Sequence, residues 1–197
     1  MSFLNKIDHS LFLFLNGFHF SALDQVMYYS SKSLLWLPLY LVFLYLVIRK
    51  YRWQALLVIL FAVVMITLSD QLSNFSKEFF QRLRPSYEPG LHVHLVNAYK
   101  GGIFGFYSAH ASNTFAVAVF LIILLRKSCK YCFVPFILWA LFLSYTRIYL
   151  GVHYPGDTIA GIGIGSLLGY LIGKGFLKVS ERIETQSKDS ETERGRS

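Results

Sequence analysis

Three groups of residues in this chain combine types and spacings that can do chemistry. The segment TRIYLGVHYPGD, residues 146–157, holds Arg147, His153 and Asp157. His153 and Asp157 are four apart, so a helix starting near Tyr154 and Pro155 sets them about one turn apart on one face. Pro155 suits a first helical position, and an aspartate in the first turn meets the positive end of the helix dipole. A carboxylate at one imidazole nitrogen fixes the tautomer and leaves the other nitrogen free to attack or to take a proton. Arg147 can grip a phosphate with two parallel hydrogen bonds. The plainer reading is a solvated ion pair in a turn. Three ionisable groups at the junction of two apolar stretches weigh against it.

The second group is YSAHASNTF, residues 107–115. Ser108 is a candidate helix N-cap, and the backbone amides after a cap, Ala109 among them, point outward to bind anions. His110 falls in the first turn and is a candidate general acid; alone, it would more simply be a surface or capping residue. The third group is KEFFQRLRP, residues 77–85. Lys77 and Arg84 are seven apart, two helical turns, which predicts a shared helix face up to the stop at Pro85. An interfacial helix with snorkelling cations would look the same.

These groups must be held by apolar elements. Continuous apolar runs cover 33–48, 53–74, 109–125, 131–149 and 157–177. A bilayer core needs about 20 such residues in a helix, and unbroken runs argue for helices over strands. The predicted fold is an all-α integral membrane protein, a bundle of five transmembrane helices, or six if residues 3–20 cross as a tilted span. Those residues are interrupted by Lys6, Asp8, His9, Asn16 and Gly17, and are expected to form an amphipathic surface helix ending near Gly17. Three regions result: an N-terminal interfacial helix and turn (1–32), a membrane body (33–177) and a disordered cytoplasmic tail (178–197). The N-terminus shows no signal-peptide pattern.

Composition agrees. Of 197 residues, 54% are hydrophobic and only 15% charged, well under the usual quarter. The net charge of +8 sits on the apolar body, because the tail's charges cancel. In a membrane protein this points to anionic lipid and loop-charge bias, rather than to nucleic acid. Basic residues cluster at 49–52, 126–130 and 174–178. These ends are expected to be cytoplasmic, so the three chemical groups face outward. Lys77, Arg82, Arg84, Lys100 and Arg147 then stand against the bias, as expected if several converge on an anion. Cys129 and Cys132 are taken as small residues at a helix start, since one CxxC pair is half a zinc site at most. His92 and His94 are likewise too few to hold zinc. Gly161, Gly165, Gly169 and Gly173 recur every four residues, the spacing that lets helices pack closely.

Together the groups read K-x6-R-P, then S-x-H, then R-x5-H-x3-D. This resembles the type 2 phosphatidic acid phosphatase superfamily, which also contains the vanadium haloperoxidases, over about residues 33–177. Tyr107, Ala109 and Thr146 stand where the family pattern has Pro, Gly and Ser. The resemblance implies that Lys77, Arg84 and Arg147 hold a phosphate, helped by Ser108 and the amide near Ala109. It implies that His153 attacks phosphorus, Asp157 orients His153, and His110 protonates the leaving oxygen. No metal or other cofactor is expected, because the outer acidic residues Glu78, Glu88 and Asp157 are scattered. The implied protein is a metal-independent phosphatase of a lipid phosphate in a bacterial inner membrane, working at the outer face. Undecaprenyl pyrophosphate, lipid A phosphate, phosphatidylglycerol phosphate and phosphatidate are the candidate substrates. A non-enzymatic phospholipid transporter or channel is the alternative. A soluble haloperoxidase is disfavoured by the five spans.

Overall fold

The structure, a computed structural model, describes residues 3–126 and 133–194. Cys129, Cys132, Lys127 and Lys130 lie outside the described residues. Among the described residues, seven α-helices form: α1 (Phe3–Gly17), α2 (Ser21–Ser30), α3 (Leu37–Tyr51), α4 (Ala55–Phe80), α5 (Ala109–Leu125), α6 (Phe133–Tyr149) and α7 (Pro155–Arg194). Among the described residues no strand forms; one isolated bridge pairs Leu83 with Phe104.

The five apolar runs become α3 to α7. Two stretches, Ser33–Phe80 and Pro155–Ser187, are long and apolar enough to cross a membrane, while α5 and α6 are apolar but have 17 residues each. The outer faces of α3, α4, α6 and α7 expose large apolar side chains, including Leu56, Leu60, Val63 and Phe75 on α4. A surface this greasy suits lipid and not water. Phe79 extends the row, stacking on Phe75 at 6.1 Å between ring centroids at the helix's C-terminal end.

α5 is the central post. Nearly all of it is buried, against α4, α6 and α7. The α7 glycines explain the closest contact. A Cβ on Gly165 or Gly169 would run into the carbonyl oxygens of Ser112 or Ala116, and one on Gly161 would come within 2.5 Å of Ser108 O. Bare glycines let two backbones touch, as the four-residue spacing predicts. On the other side, Ser69 and Ser112 share a buried hydrogen bond of 2.7 Å, joining α4 to α5. Phe43 of α3, and Trp36 just before that helix, pack edge to face on Trp139 of α6.

Helices α4 to α7 alternate in direction, so their ends sort into two sets. Lys50 and Tyr51 donate to Leu124 O at the end of α5, and Ser180 of α7 meets Gln54. That end gathers Arg49, Arg52, Arg126 and Lys178. The opposite end gathers Lys77, Ser108, His110, Arg147, His153 and Asp157.

Three local expectations change. Helix α4 stops at Phe80, because Gln81 turns left-handed (φ 46°) and caps it onto Lys77 O. Arg84 is therefore off the helix, in extended chain fixed by its amide to Ile103 O, and does not share a helix face with Lys77. The turn foreseen after α1 contains a further helix, α2. Helix α7 continues to Arg194, through residues expected to be unstructured. Opposite charges three apart, Lys178 and Glu181, support exposed helix, and Ser180 pins this part to Gln54.

Candidate active site

The catalytic-looking groups lie where four chain segments meet. Arg147 ends α6, and its carbonyl accepts the amides of Val152 and His153 at 3.1 and 3.2 Å. The x5 spacing is thus one closed backbone loop that ties arginine to histidine. Gly151 makes the turn at φ 72°, where a Cβ would lie 2.9 Å from His94 O. Helix α7 then begins at Pro155, as its sequence predicts.

Asp157 is fully buried. Its Oδ2 accepts the Tyr154 amide at 3.1 Å and faces His153 Nδ1 at 3.7 Å. That separation aligns the ring without a formed hydrogen bond, and leaves Nε2 on the ring's far side. Burial, opposed by Asp157 and assisted by Arg84 and Arg147, pushes the His153 imidazole down to about 4. The ring is neutral near pH 7, the form that can attack.

Ser108 caps α5, accepting the Ala111 amide at 3.4 Å, and its own amide donates to Asp157 O at 3.1 Å. The starts of α5 and α7 are thereby joined. Ala109 and His110 open α5, with the positive helix end toward the site. His110 lies within electrostatic reach of Arg147 and His153. Tyr107 is buried between its hydroxyl contact to Ser69 O and the Ser73 hydroxyl on its own carbonyl. Thr146 spends its hydroxyl on Leu143 O.

Arg84 and Arg147 are both more than nine-tenths buried. Burial, and then the Arg147 charge, push Arg84 below its ordinary value. Two guanidiniums crowd one small volume, a positive surplus that an anion would relieve. Burial pushes the Tyr99 hydroxyl up, but Arg147, which donates to it at 3.2 Å, and Arg84 bring it below the usual phenol range. Lys77, in the last turn of α4, feels Arg84 and Asp70. Asp70 itself accepts from Asn113. Lys100 stays outside, over the Tyr87 ring. His94 is engaged elsewhere, stacked on His19 and bonded to Asp24 at 2.9 Å.

Buried polar atoms nearly always have partners. Here His110 Nε2, Arg147 Nε and His153 Nδ1 are buried without one. His153 Nδ1 is turned to Asp157, so it is the other two, His110 Nε2 and Arg147 Nε, that mark a place built for a polar ligand.

Four contributors were not singled out for this site in the sequence. Gly105 lies against it: a Cβ there would meet Arg84 Cγ at 3.0 Å, Asp157 Oδ2 at 3.2 Å and His153 Nδ1 at 3.6 Å. The run GGIFG, 101–105, was the available signal. Tyr99 carried none. Arg82 stood among the outer cations without a role, and Asp8 was only a break in an apolar helix.

Residues 55–180, most of the membrane body, match the PAP2 superfamily. The chain belongs to that superfamily. It is 39% identical over 192 residues to a lipid A 4'-phosphatase of Bacteroides thetaiotaomicron, covering 95% of this chain and 84% of that one. It is 34% identical to the lipid A 4'-phosphatase of Porphyromonas gingivalis, over 92% of this chain and 78% of the relative. The fold resembles the crystal structure of a transmembrane PAP2-type phosphatidylglycerolphosphate phosphatase from Bacillus subtilis, at a TM-score of 0.69 and 24% identity over 90% of this chain and 88% of that one. PAP2 membership agrees with the three-part pattern and with a membrane-embedded helical body.

Proposed function

We propose that this protein is a metal-independent membrane phosphatase that removes a phosphate from lipid A through a phosphohistidine. The observation that carries the chemistry is the pair of unpartnered buried nitrogens on His110 and Arg147 beside the aligned His153 and Asp157. The two lipid A 4'-phosphatase relatives, matched along nearly the whole chain, favour lipid A over undecaprenyl pyrophosphate, phosphatidylglycerol phosphate and phosphatidate.

In this reading Lys77, Arg84 and Arg147 neutralise the phosphate's oxygens, with the Ser108 hydroxyl and the first amides of α5, at Ala109, adding donors. Phosphoryl transfer needs little else than position and charge. The lone pair of His153 Nε2 forms the N–P bond while the P–O ester bond breaks. The leaving oxygen takes that electron pair and the proton of His110, which becomes the imidazolium once the bound phosphate's charge offsets that of Arg147. Asp157 holds Nδ1–H and balances the imidazolium charge. His110, now neutral, takes a proton from water as its oxygen attacks phosphorus. The N–P bond breaks, and inorganic phosphate leaves with His153 restored. Three fixed cations supply the charge that a metal supplies in other phosphatases.

The test is phosphate release in detergent from lipid A, phosphatidate, phosphatidylglycerol phosphate and undecaprenyl pyrophosphate, with EDTA present. Wild type should be most active on lipid A, and His153→Ala should be inactive with an unchanged melting curve. Loss of activity in EDTA, restored by magnesium, would sink the metal-independent mechanism. Lipid movement across vesicles without phosphate release would favour the transporter.

A further inference from the structure

Asp157 has two carboxylate oxygens, and the mechanism above uses only the one facing His153. The other, Oδ1, accepts from Arg82 Nη1 at 2.6 Å. Arg82 bridges two carboxylates, and its Nη2 donates to Asp8 Oδ2 of α1 at 2.5 Å. Asp8 does not end the chain of contacts. Its Oδ1 accepts the Gly156 amide at 2.8 Å, in the first turn of α7 beside Asp157. A Cβ on Gly156 would come within 2.8 Å of the same carboxylate. The Arg82 guanidinium lies 4.3 Å over the Tyr154 ring, whose other neighbour is His9 of α1, stacked at 4.7 Å. The contacts close a ring: Asp8 to Arg82, Arg82 to Asp157, and Gly156 back to Asp8.

We infer that Arg82 and Asp8 are positioning residues for the catalytic pair, and that the N-terminal helix is part of the active site's support. This rests on the phosphatase reading. A fully buried carboxylate needs a charge partner. His153 cannot be that partner while its imidazole is neutral, and Arg82 is. Arg82 also fixes the carboxylate's rotation, so that Oδ2 is aimed at Nδ1 before the imidazolium forms. Its charge tempers the pull of Asp157 on a proton, which keeps His153 unprotonated and nucleophilic. Asp8 holds the guanidinium in the required plane and anchors the start of α7 by a second route. Their contacts run to Asp157, Gly156 and Tyr154, and the proposed phosphate ligands are others, so both should act on turnover more than on substrate binding.

The experiment compares wild type with R82Q, R82K, D8N and the R82Q/D8N double variant. It measures kcat, KM and the pH profile of kcat/KM on lipid A micelles, with a melting curve for each protein. R82Q should lose on the order of tenfold to a hundredfold in kcat, the size found when a partner that orients a metal-bound imidazole or carboxylate is removed. KM should stay within about twofold, by the turnover-only argument. The groups facing His153 are Asp157 from α7, Arg147 from α6, His110 from α5 and Arg84 from the loop. With those unchanged, losing the Arg82 charge makes the His153–Asp157 pair bind a proton more readily. The acid limb therefore moves to higher pH. A residue that only held the fold together would not move it. R82K should restore the limb and part of kcat. D8N keeps an acceptor for Gly156 and should lose less. The double variant should be no slower than R82Q, because both act through one contact.

Wild-type turnover in R82Q, an acid limb unmoved in R82Q, or losses that multiply in the double variant would each overturn the inference. If R82Q fails to fold, wild-type kcat in both R82K and D8N overturns it. A wild type that releases no phosphate from any lipid defeats the phosphatase reading itself. An active wild type with normal variants defeats only the relay.

Discussion

At the residue scale, burial keeps the His153 imidazole neutral, the form the proposed chemistry needs. If that neutral ring is the nucleophile, as proposed, activity should persist as pH falls below 6.5, where an ordinary histidine charges, and be lost through about 4. An NMR titration of the His153 ring without substrate reads this directly; a midpoint near 6.5 would contradict it. The pattern's charged residues were legible in sequence because each type has few substitutes for its task. His153, Asp157 and Arg147 meet as their spacing implies, since the Arg147 carbonyl closes the loop onto the His153 amide. Arg82 was visible only as a cation on the wrong side of a charge bias. Nothing in sequence spacing pairs it with Asp8, 74 residues away.

At the element scale, the α5–α7 contact sets the precision of the site, because both helices start in it. Gly165→Leu would force a side chain into the Ser112 carbonyl. Overpacking of this kind costs about 1–3 kcal/mol, so the melting temperature should fall by several degrees and kcat with it. Gly163 faces open space, and Gly163→Ala should melt no lower than wild type; thermal melts in detergent check both. The glycine stripe and the starts of α5 and α7 were readable from period and caps. The end of α4 was not. Gln81 adopts a left-handed cap that favours glycine or asparagine, and the next proline lies four residues on. Helix α2 was hidden because its sequence is short, mixed and lacks a side-chain cap at Phe20.

At the scale of the whole molecule, basic ends and chemical ends lie at opposite poles. If the basic pole is cytoplasmic, a cysteine placed by Glu88→Cys, with Cys129→Ser and Cys132→Ser, should react with an impermeant thiol reagent on intact cells. Protection there, with labelling only after lysis, would invert the orientation. The helical membrane body was legible from apolar run lengths alone. The docking of α1 onto it was not, because Asn16 reaching Tyr149 O and Asp8 reaching Gly156 are contacts between distant parts of the chain. The exposed row of Phe75 and Phe79 runs along lipid up to the polar pole that holds the site. A substrate anchored by acyl chains therefore arrives by sideways diffusion within a sheet, and the quantity it presents is a mole fraction, not a molarity. Adding inert detergent at constant total lipid A should slow hydrolysis in proportion to the dilution of the micelle surface, whereas a water-borne phosphate ester would be hydrolysed at an unchanged rate.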